Sequence, residues 1–358
     1  MTERVLISGA FDDSQYQFSF FERIAEAIER EGIQVRRFNA FGFDDASDVL
    51  AKLAERAFTL PGRWLGIDKQ TVRAALPWTP QGRRERALLA AVRSFRPDML
   101  IVIRGFPHRP RTLRACRRLG VRELVGWYVE GPLEPGLPEA ESRAFDRYYC
   151  IHTELDRAHR PHIGWLPSYG LDATSFSRLR WPRVTRDRIV FVGTPTARRV
   201  RFLEALRELP LELWGPKWHG VGTLAPFHRG DFIWGPQLNA LYNGSAIVLN
   251  VASWDSQLSG MTQRIVEIPA SGAFMLTDRA PEIGALFEPG VEMDVFDSPD
   301  ELRQQCERYL VDAVNREAIA DAGHRRALRM DDFGAAARVL AGLAEAPSPP
   351  RATRPEQP

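Results

Sequence analysis

Short apolar runs alternate with amphipathic stretches along most of this chain, and each run ends in small, polar or charged residues. Arg4 to Ser8 predicts a buried strand, followed by a helix from about Phe18 to Arg30 with Phe21, Ile24, Ala25 and Ile28 on one face. Gly32 ends that helix and Gln34 to Phe38 supplies the next strand. A basic helix over 84–94 leads into PDMLIVIR, 97–104, which is apolar enough for a strand covered on both faces. Helix 110–119, strand 123–128 and strand 146–151 repeat the unit. Breaks at Pro167 and Gly170 and a polar, Arg-rich segment to Arg188 then separate this half from a second one. There the predicted strands are 189–192, 211–214, 247–251, 273–277 and a short one within 288–297, with helices over 261–271, 298–313 and 315–329. Alternating strands and helices predict an α/β protein of two doubly wound parallel domains, residues 1–170 and 187–330. Residues 331–345 predict a last helix, and the Pro-rich tail 346–358 predicts disorder. Segment 42–80 carries two modest helical patterns around Pro61–Gly62. Its Phe43, Trp64 and Trp78 either line a pocket or pack.

Composition narrows the class. With 44% hydrophobic residues, 26% charged ones and a formal net charge of +2, the chain is globular and carries no global field that would announce a polyanionic partner. Arginine clusters such as HRPRTLRACRR and ARRVRF read more simply as solvated helix faces than as a nucleic-acid surface. Cys116, Cys150 and Cys306 are far apart and lack metal-ligand spacing, so reduced thiols are expected. MTERVLISGAF opens directly on a core strand and no apolar run has the length of a membrane span, which predicts a soluble, cytoplasmic protein.

In doubly wound folds the chemistry gathers at the carboxyl ends of the strands. After Ile247–Val251 comes a small-polar loop, 253–260, and then a helix carrying Arg264 one turn in and Glu267 three residues further on the same face. A helix start with free N–H groups and a guanidinium suits an anion, and a carboxylate beside it can accept the hydroxyls of a ribose. The same two residues also read as an ordinary ion pair on a solvated helix. Gly193-Thr194 after the strand 189–192 permits close approach of a phosphate or sugar to the backbone. The first strand leads into Asp12, Asp13 and Ser14, which are turn and capping types as much as ligand types, and no G-x-G-x-x-G is present, so no dinucleotide is indicated. Strand 97–104 delivers Arg104 to the crevice side, and GWYVEGP places Glu130 at another strand end, as a general base, an acceptor contact or a plain turn acid.

From Arg264 onward, RIVEIPASGAFMLTDRAPEIGALFEPGVE resembles the R-x-F-E-x-x-A-x-G-x-F-x-x-T-D…LFEPGxE signature of the spore-maturation (CgeB-type) glycosyltransferases. The resemblance covers most of 187–330 well and the first half loosely. It implies the GT-B fold: two facing Rossmann-like doubly wound domains with an interdomain cleft, the nucleotide-diphosphate sugar in the second, the acceptor in the first, and helix 331–345 packing back toward the first domain. It further implies a UDP-linked donor as co-substrate, no other cofactor, no metal, and Arg264 as the group stabilising the leaving diphosphate. Donor contacts would come from Gly193, Thr194, Gly215, Trp218, Asp255, Ser259, Gly260, Met261, Arg264 and Glu267. Trp218 sits where related proteins hold the base, to stack on it or to cover a core edge. Acceptor contacts would come from Asp12, Asp13, Ser14, Arg104 and Glu130, with Glu130 in the place of the Asp in the family's W-x-x-D-x-P stretch. Many retaining enzymes of this fold carry a second glutamate eight residues before the ribose-binding one. Ser259 stands there instead, so the stereochemical course stays open. The acceptor is a small molecule, protein or glycan, with nucleic acid the less expected class, and neither it nor the oligomeric state follows from the sequence. A nucleotide-sugar epimerase, a non-catalytic sugar-nucleotide-binding module and a nucleic-acid-modifying glycosyltransferase are the alternatives on this fold.

Overall fold

The computed structural model describes residues 2–11, 19–41, 43, 79–103, 108–129, 141–153, 162–179, 187–253 and 260–349. Its strands form two separate six-stranded sheets in which every described strand pairing is parallel. The first contains β1 (Arg4–Gly9), β2 (Gln34–Asn39), β3 (Met99–Ile103), β4 (Glu123–Tyr128), β5 (Arg147–Cys150) and β6 (Ile163–Trp165), in the order β2-β1-β3-β4-β5-β6. The second contains β7 (Ile189–Val192), β8 (Leu211–Trp214), β9 (His228–Gly230), β10 (Ile247–Asn250), β11 (Met275–Asp278) and β12 (Asp294–Phe296), in the order β12-β11-β10-β7-β8-β9. In each sheet the chain moves outward from its first strand and then returns to pair on that strand's other side. The order therefore reverses between β1 and β3 and between β7 and β10, the two places where such sheets open a crevice.

The buried runs anticipated from the sequence are these strands; all five residues of β3 are buried, as are all four of β10. Helices α1 (Ser19–Arg30), α2 (Pro80–Phe95) and α3 (Pro110–Arg118) belong to the first half. Helices α4 (Ala197–Glu204), α5 (Gly235–Asn243), α6 (Arg264–Ala270), α7 (Ile283–Leu286), α8 (Pro299–Val311) and α9 (Ala313–Ala327) belong to the second. Their starts follow local chemistry: the hydroxyls of Thr79, Thr196 and Ser298 each accept an N–H of the first turn, and Pro80 and Pro299 occupy early helical positions where no donor is needed. Two of the edge strands, β6 and β9, have three residues each and lie where the sequence suggested only connecting chain.

Helix α10 (Gly334–Leu340) contributes Ala336, Ala337, Val339 and Leu340 to the core of the first domain, beside Ile24 and Ile28 of α1. Ala346, placed by the sequence in a disordered tail, packs against that core, while 350–358 lie outside the described residues. Arg147 anchors the return by donating to the carbonyls of Val339 (2.6 Å) and Leu340 (3.0 Å). The crossing segment is held from both sides. Arg23 of α1 pairs with Asp172 at 3.2 Å, and the Gly170 N–H donates to Oε1 of Gln263 at 3.0 Å, just ahead of α6. The three cysteines are buried thiols, and among the described residues no helix is long and apolar enough to cross a membrane.

Candidate active site

The reversal point of the second sheet gathers an unusual amount of buried charge. Thr196 caps α4, and this sets Arg198 and Arg199 into the first turn behind the Gly193-Thr194 loop. Arg199 donates from Nε to the Val251 carbonyl (3.0 Å) and from its terminal nitrogen to the Thr194 carbonyl (2.9 Å), so it bridges the ends of β7 and β10. From the other side Arg264 donates to the Val192 carbonyl at 3.3 Å. Among the described residues, the hydrogen-bond partners of both guanidiniums are main-chain carbonyls. Burial and the neighbouring Arg264 pull the Arg199 pKa down to about 9, against the smaller opposing pull of Asp278. Two like charges at one strand edge raise each other's energy and lower that of an incoming anion. Arg198 is spent differently: it forms a buried ion pair with Asp278, whose other oxygen accepts the Ala252 N–H, fixing the end of β10.

Helix α6 begins at Arg264, three residues later than the sequence suggested, and Glu267 therefore lies within its first turn. The N–H groups of Ile265, Val266 and Glu267 are already bonded to the carbonyls of Thr262 and Gln263. The expectation of a fully free helix start is corrected accordingly, and the positive character here comes from side chains. Met261, expected among the donor contacts, is buried with the apolar residues beneath the helix. Glu267 keeps partial contact with solvent although protein surrounds it, and that burial raises its carboxyl pKa to about 7 despite the favourable field of Arg264. Its carboxyl group thus lies in the field of Arg264, within the first turn of α6. Tyr242, fully buried, packs its ring on Phe176 beside it.

The Gly215 turn closes a further wall. Gly215 has φ +126°, a Cβ there would meet the Gly193 carbonyl oxygen at 2.4 Å, and its N–H donates to Gly230 of β9 at 2.8 Å. Trp218, expected as a stacking platform, is fully buried. Its indole N–H donates to the Gly193 carbonyl at 2.6 Å and its ring meets Phe191 edge-on. It props the Gly193 loop from inside, because a tryptophan with a satisfied N–H contributes more by filling the core than by facing water. Thr194 is exposed at the rim.

Across the crevice, Gly260 is where the two domains meet. It has φ +77°, and a Cβ there would lie 2.9 Å from the ring of His152, which ends the β5 region of the first sheet. Its N–H donates to buried Glu282 at 3.0 Å. His152 is thereby brought against Gly260, ahead of α6. The reversal point of the first sheet holds Ser8, whose hydroxyl is 2.6 Å from Nε2 of His108. Burial, with Arg84 nearby, pushes the His108 pKa down to about 3, so this imidazole is neutral. Asp12, Asp13, Ser14, Arg104, Glu130, Asp255 and Ser259 lie outside the described residues.

Of the expected donor residues, the structure gathers Gly193, Thr194, Gly215, Arg264 and Glu267 about one strand edge. Arg198, Arg199, His152 and Glu282 had not been singled out as site residues. His152 and its neighbours were legible only as a strand end facing the crevice, and the two arginines as members of a basic cluster.

Residues 198–341 match a family described as glycosyl transferase-like. No curated protein matches the sequence. The fold is shared with sucrose-phosphate synthase from Thermosynechococcus elongatus, at 12% identity and TM-score 0.66 over 95% of this chain and 98% of that one. It is also shared with Anabaena HepE in complex with UDP and glucose, at 13% identity and TM-score 0.60 over 95% and 99%. WaaG, a glycosyltransferase involved in lipopolysaccharide biosynthesis, superposes at 12% identity and TM-score 0.62 over 94% and 100%. At such identities the likeness is one of architecture, and the architecture is GT-B: two α/β domains, each with a parallel six-stranded sheet.

Proposed function

We propose that this chain, a glycosyltransferase of the GT-B architecture, transfers a sugar from a UDP-linked donor held by the second domain to an acceptor held by the first. The observation that carries this reading is the pair Arg199 and Arg264. Two guanidiniums converge on the end of β7, one of them with its pKa drawn down to about 9 by burial and by the other charge. Such an arrangement is unfavourable by itself and is relieved by a dianionic or trianionic group, which a diphosphate provides. As the glycosidic bond breaks, negative charge grows on the leaving diphosphate. Fixed cations in a partly desolvated crevice stabilise that growth without reorganising, so the donor needs no metal ion at the diphosphate. Glu267 accepts the ribose hydroxyls, and the Gly215 turn receives the base edge. UDP as the nucleotide agrees with its presence in the HepE complexes that share the fold.

His152 stands at the seam between the halves, against Gly260, where the donor sugar and the acceptor meet. It is a candidate for orienting a sugar hydroxyl. Glu130 is the acid nearest in the chain to the end of β4. In an inverting reaction it serves as the base toward the acceptor hydroxyl, and in a retaining one it positions the acceptor. The Arg23–Asp172 and Gly170–Gln263 contacts tie the crossing segment to both domains and mark where closure would pivot.

Thermal shift across nucleoside diphosphates, combined with UDP release from UDP-sugars, tests the proposal. UDP should raise the melting temperature of the native chain and leave Arg264→Ala unmoved, since a ligand bound only by the folded state stabilises it by about 2.7 kcal/mol at a hundredfold excess over Kd. A native chain indifferent to every nucleotide would overturn the donor site.

A further inference from the structure

Two histidines and an aspartate meet at the outer edge of the second sheet, where β8 separates them from β7 and its arginines. His228 opens the edge strand β9, Asp231 follows that strand directly, and His219 lies in the short turn Trp218–Gly220 that leaves β8. One ligand atom from each residue lies within 4.8 Å of the others. The two imidazole centroids are 6.2 Å apart with their planes at 37°. Nε2 of His228 is buried, has no hydrogen-bond partner among the described residues, and stands 3.4 Å from Oδ1 of Asp231.

That last distance discriminates. A charge-assisted hydrogen bond between imidazole and carboxylate would close to about 2.7–2.9 Å. Two ligand atoms on one tetrahedral ion, each about 2.0–2.2 Å from it, stand roughly 3.3–3.6 Å apart. The His228–Asp231 edge already has that length, and the exposed His219 keeps a ligand atom within 4.8 Å of both, the third corner of a face. The donor set also discriminates, because calcium and magnesium prefer all-oxygen surroundings whereas two imidazoles with one carboxylate suit zinc and its neighbours. The local fold has a use for such a link. A three-residue edge strand, paired on one side only and with a register irregularity between Leu213 and Trp214, is weakly held by its ladder.

We propose that His219, His228 and Asp231 form a site for one divalent transition-metal ion of the zinc class, with water completing the tetrahedron, which staples β9 to the turn after β8. The site is separate from the diphosphate crevice, and its existence does not depend on the donor reading.

The test uses the untagged full chain, stripped with a chelator and desalted. Zn²⁺ is titrated in competition with a chelating indicator, and Co²⁺ binding is followed by its visible absorption. The expected result is one ion per chain with micromolar or tighter affinity, a tetrahedral Co²⁺ spectrum, and a rise in melting temperature with Zn²⁺. His219→Ala, at an exposed position, should keep the metal-free melting temperature of the native chain and weaken Zn²⁺ binding at least tenfold. Asp231→Asn should weaken it too, so the test stands even if the half-buried His228→Ala misfolds. Absence of stoichiometric binding by the native chain, or unchanged affinity in a folded His219→Ala, would overturn the site.

Discussion

The two sheets repeat one topology yet furnish their reversal points in opposite ways. At the end of β7 and β10 the second domain sets fixed charge: Arg199, Arg264, the Arg198–Asp278 pair and Glu267. At the end of β1 and β3 the first domain sets a neutral Ser8–His108 pair, with His108 held uncharged by burial. The same backbone frame thus delivers side chains to a crevice twice, and the chemistry placed there differs with the partner. A diphosphate is a constant feature of a donor and rewards charges preorganised on helix starts and strand ends. An acceptor varies in chemistry from one such enzyme to another, so it rewards no single fixed charge.

The sharpest break of this contrast is Arg264→Ala. It should lower kcat/KM for UDP-sugar turnover by roughly 100- to 1000-fold, the usual size for loss of one preorganised donor to developing charge. A loss under threefold would mean that the second domain's charge is structural. Next comes Glu267→Gln, whose UDP affinity, read by calorimetry, should fall about tenfold as the ribose loses a charged acceptor.

The same variant sharpens the comparison through pH. The folded carboxyl lies above its ordinary value of 4.5, at about 7, so the fold disfavours the charged form. That penalty is absent below about pH 4.5 and grows as pH rises toward about 7. Free of nucleotide, Glu267→Gln should therefore melt higher than the native chain at pH 8, by about 2 °C or more, and equally at pH 4.5. Equal melting at both pH values would show that Glu267 carries no such burden.

A smaller effect is expected at the seam. Gly260→Ala forces a Cβ toward His152 and strains a positive φ. Turnover should fall several-fold to about tenfold while UDP affinity, measured separately, changes less than twofold, because the strained contact joins the two domains. Smallest for nucleotide binding is Ser8→Ala, in the first domain. By leaving His108 with a lost partner in a buried site it should destabilise the chain by about 1–3 kcal/mol in chemical denaturation, with UDP affinity unchanged. A coupled loss of UDP affinity would show that the two reversal points communicate.

Much of the frame is legible in the sequence. Runs such as MLIVI and IVLN are strands because only a sheet covered on both faces buries so many adjacent β-branched and aliphatic residues. The short edge strands β6 and β9 were not legible, since IGW and HRG are too brief for a period and owe their shape to the neighbouring strand. The candidate site divides similarly. Arg264 and Glu267 stood out by their spacing, whereas Trp218 beside glycine looked like a platform and proved to be a prop for Gly193. Arg199 had no distinguishing spacing at all within ARRVRF.

What the sequence determined by itself was periodic: where helices and strands run, that there are two doubly wound halves, and that a last helix follows them. What only the tertiary structure decided was convergence. Arg199 and Arg264 are distant in the chain and become neighbours because β7 and β10 pair side by side. Gly260 meets His152 only because two domains close on one crevice. Local patterns report which face of an element is apolar, but a charge acquires its energy from everything around it, and that surrounding is assembled by contacts between residues far apart in the chain.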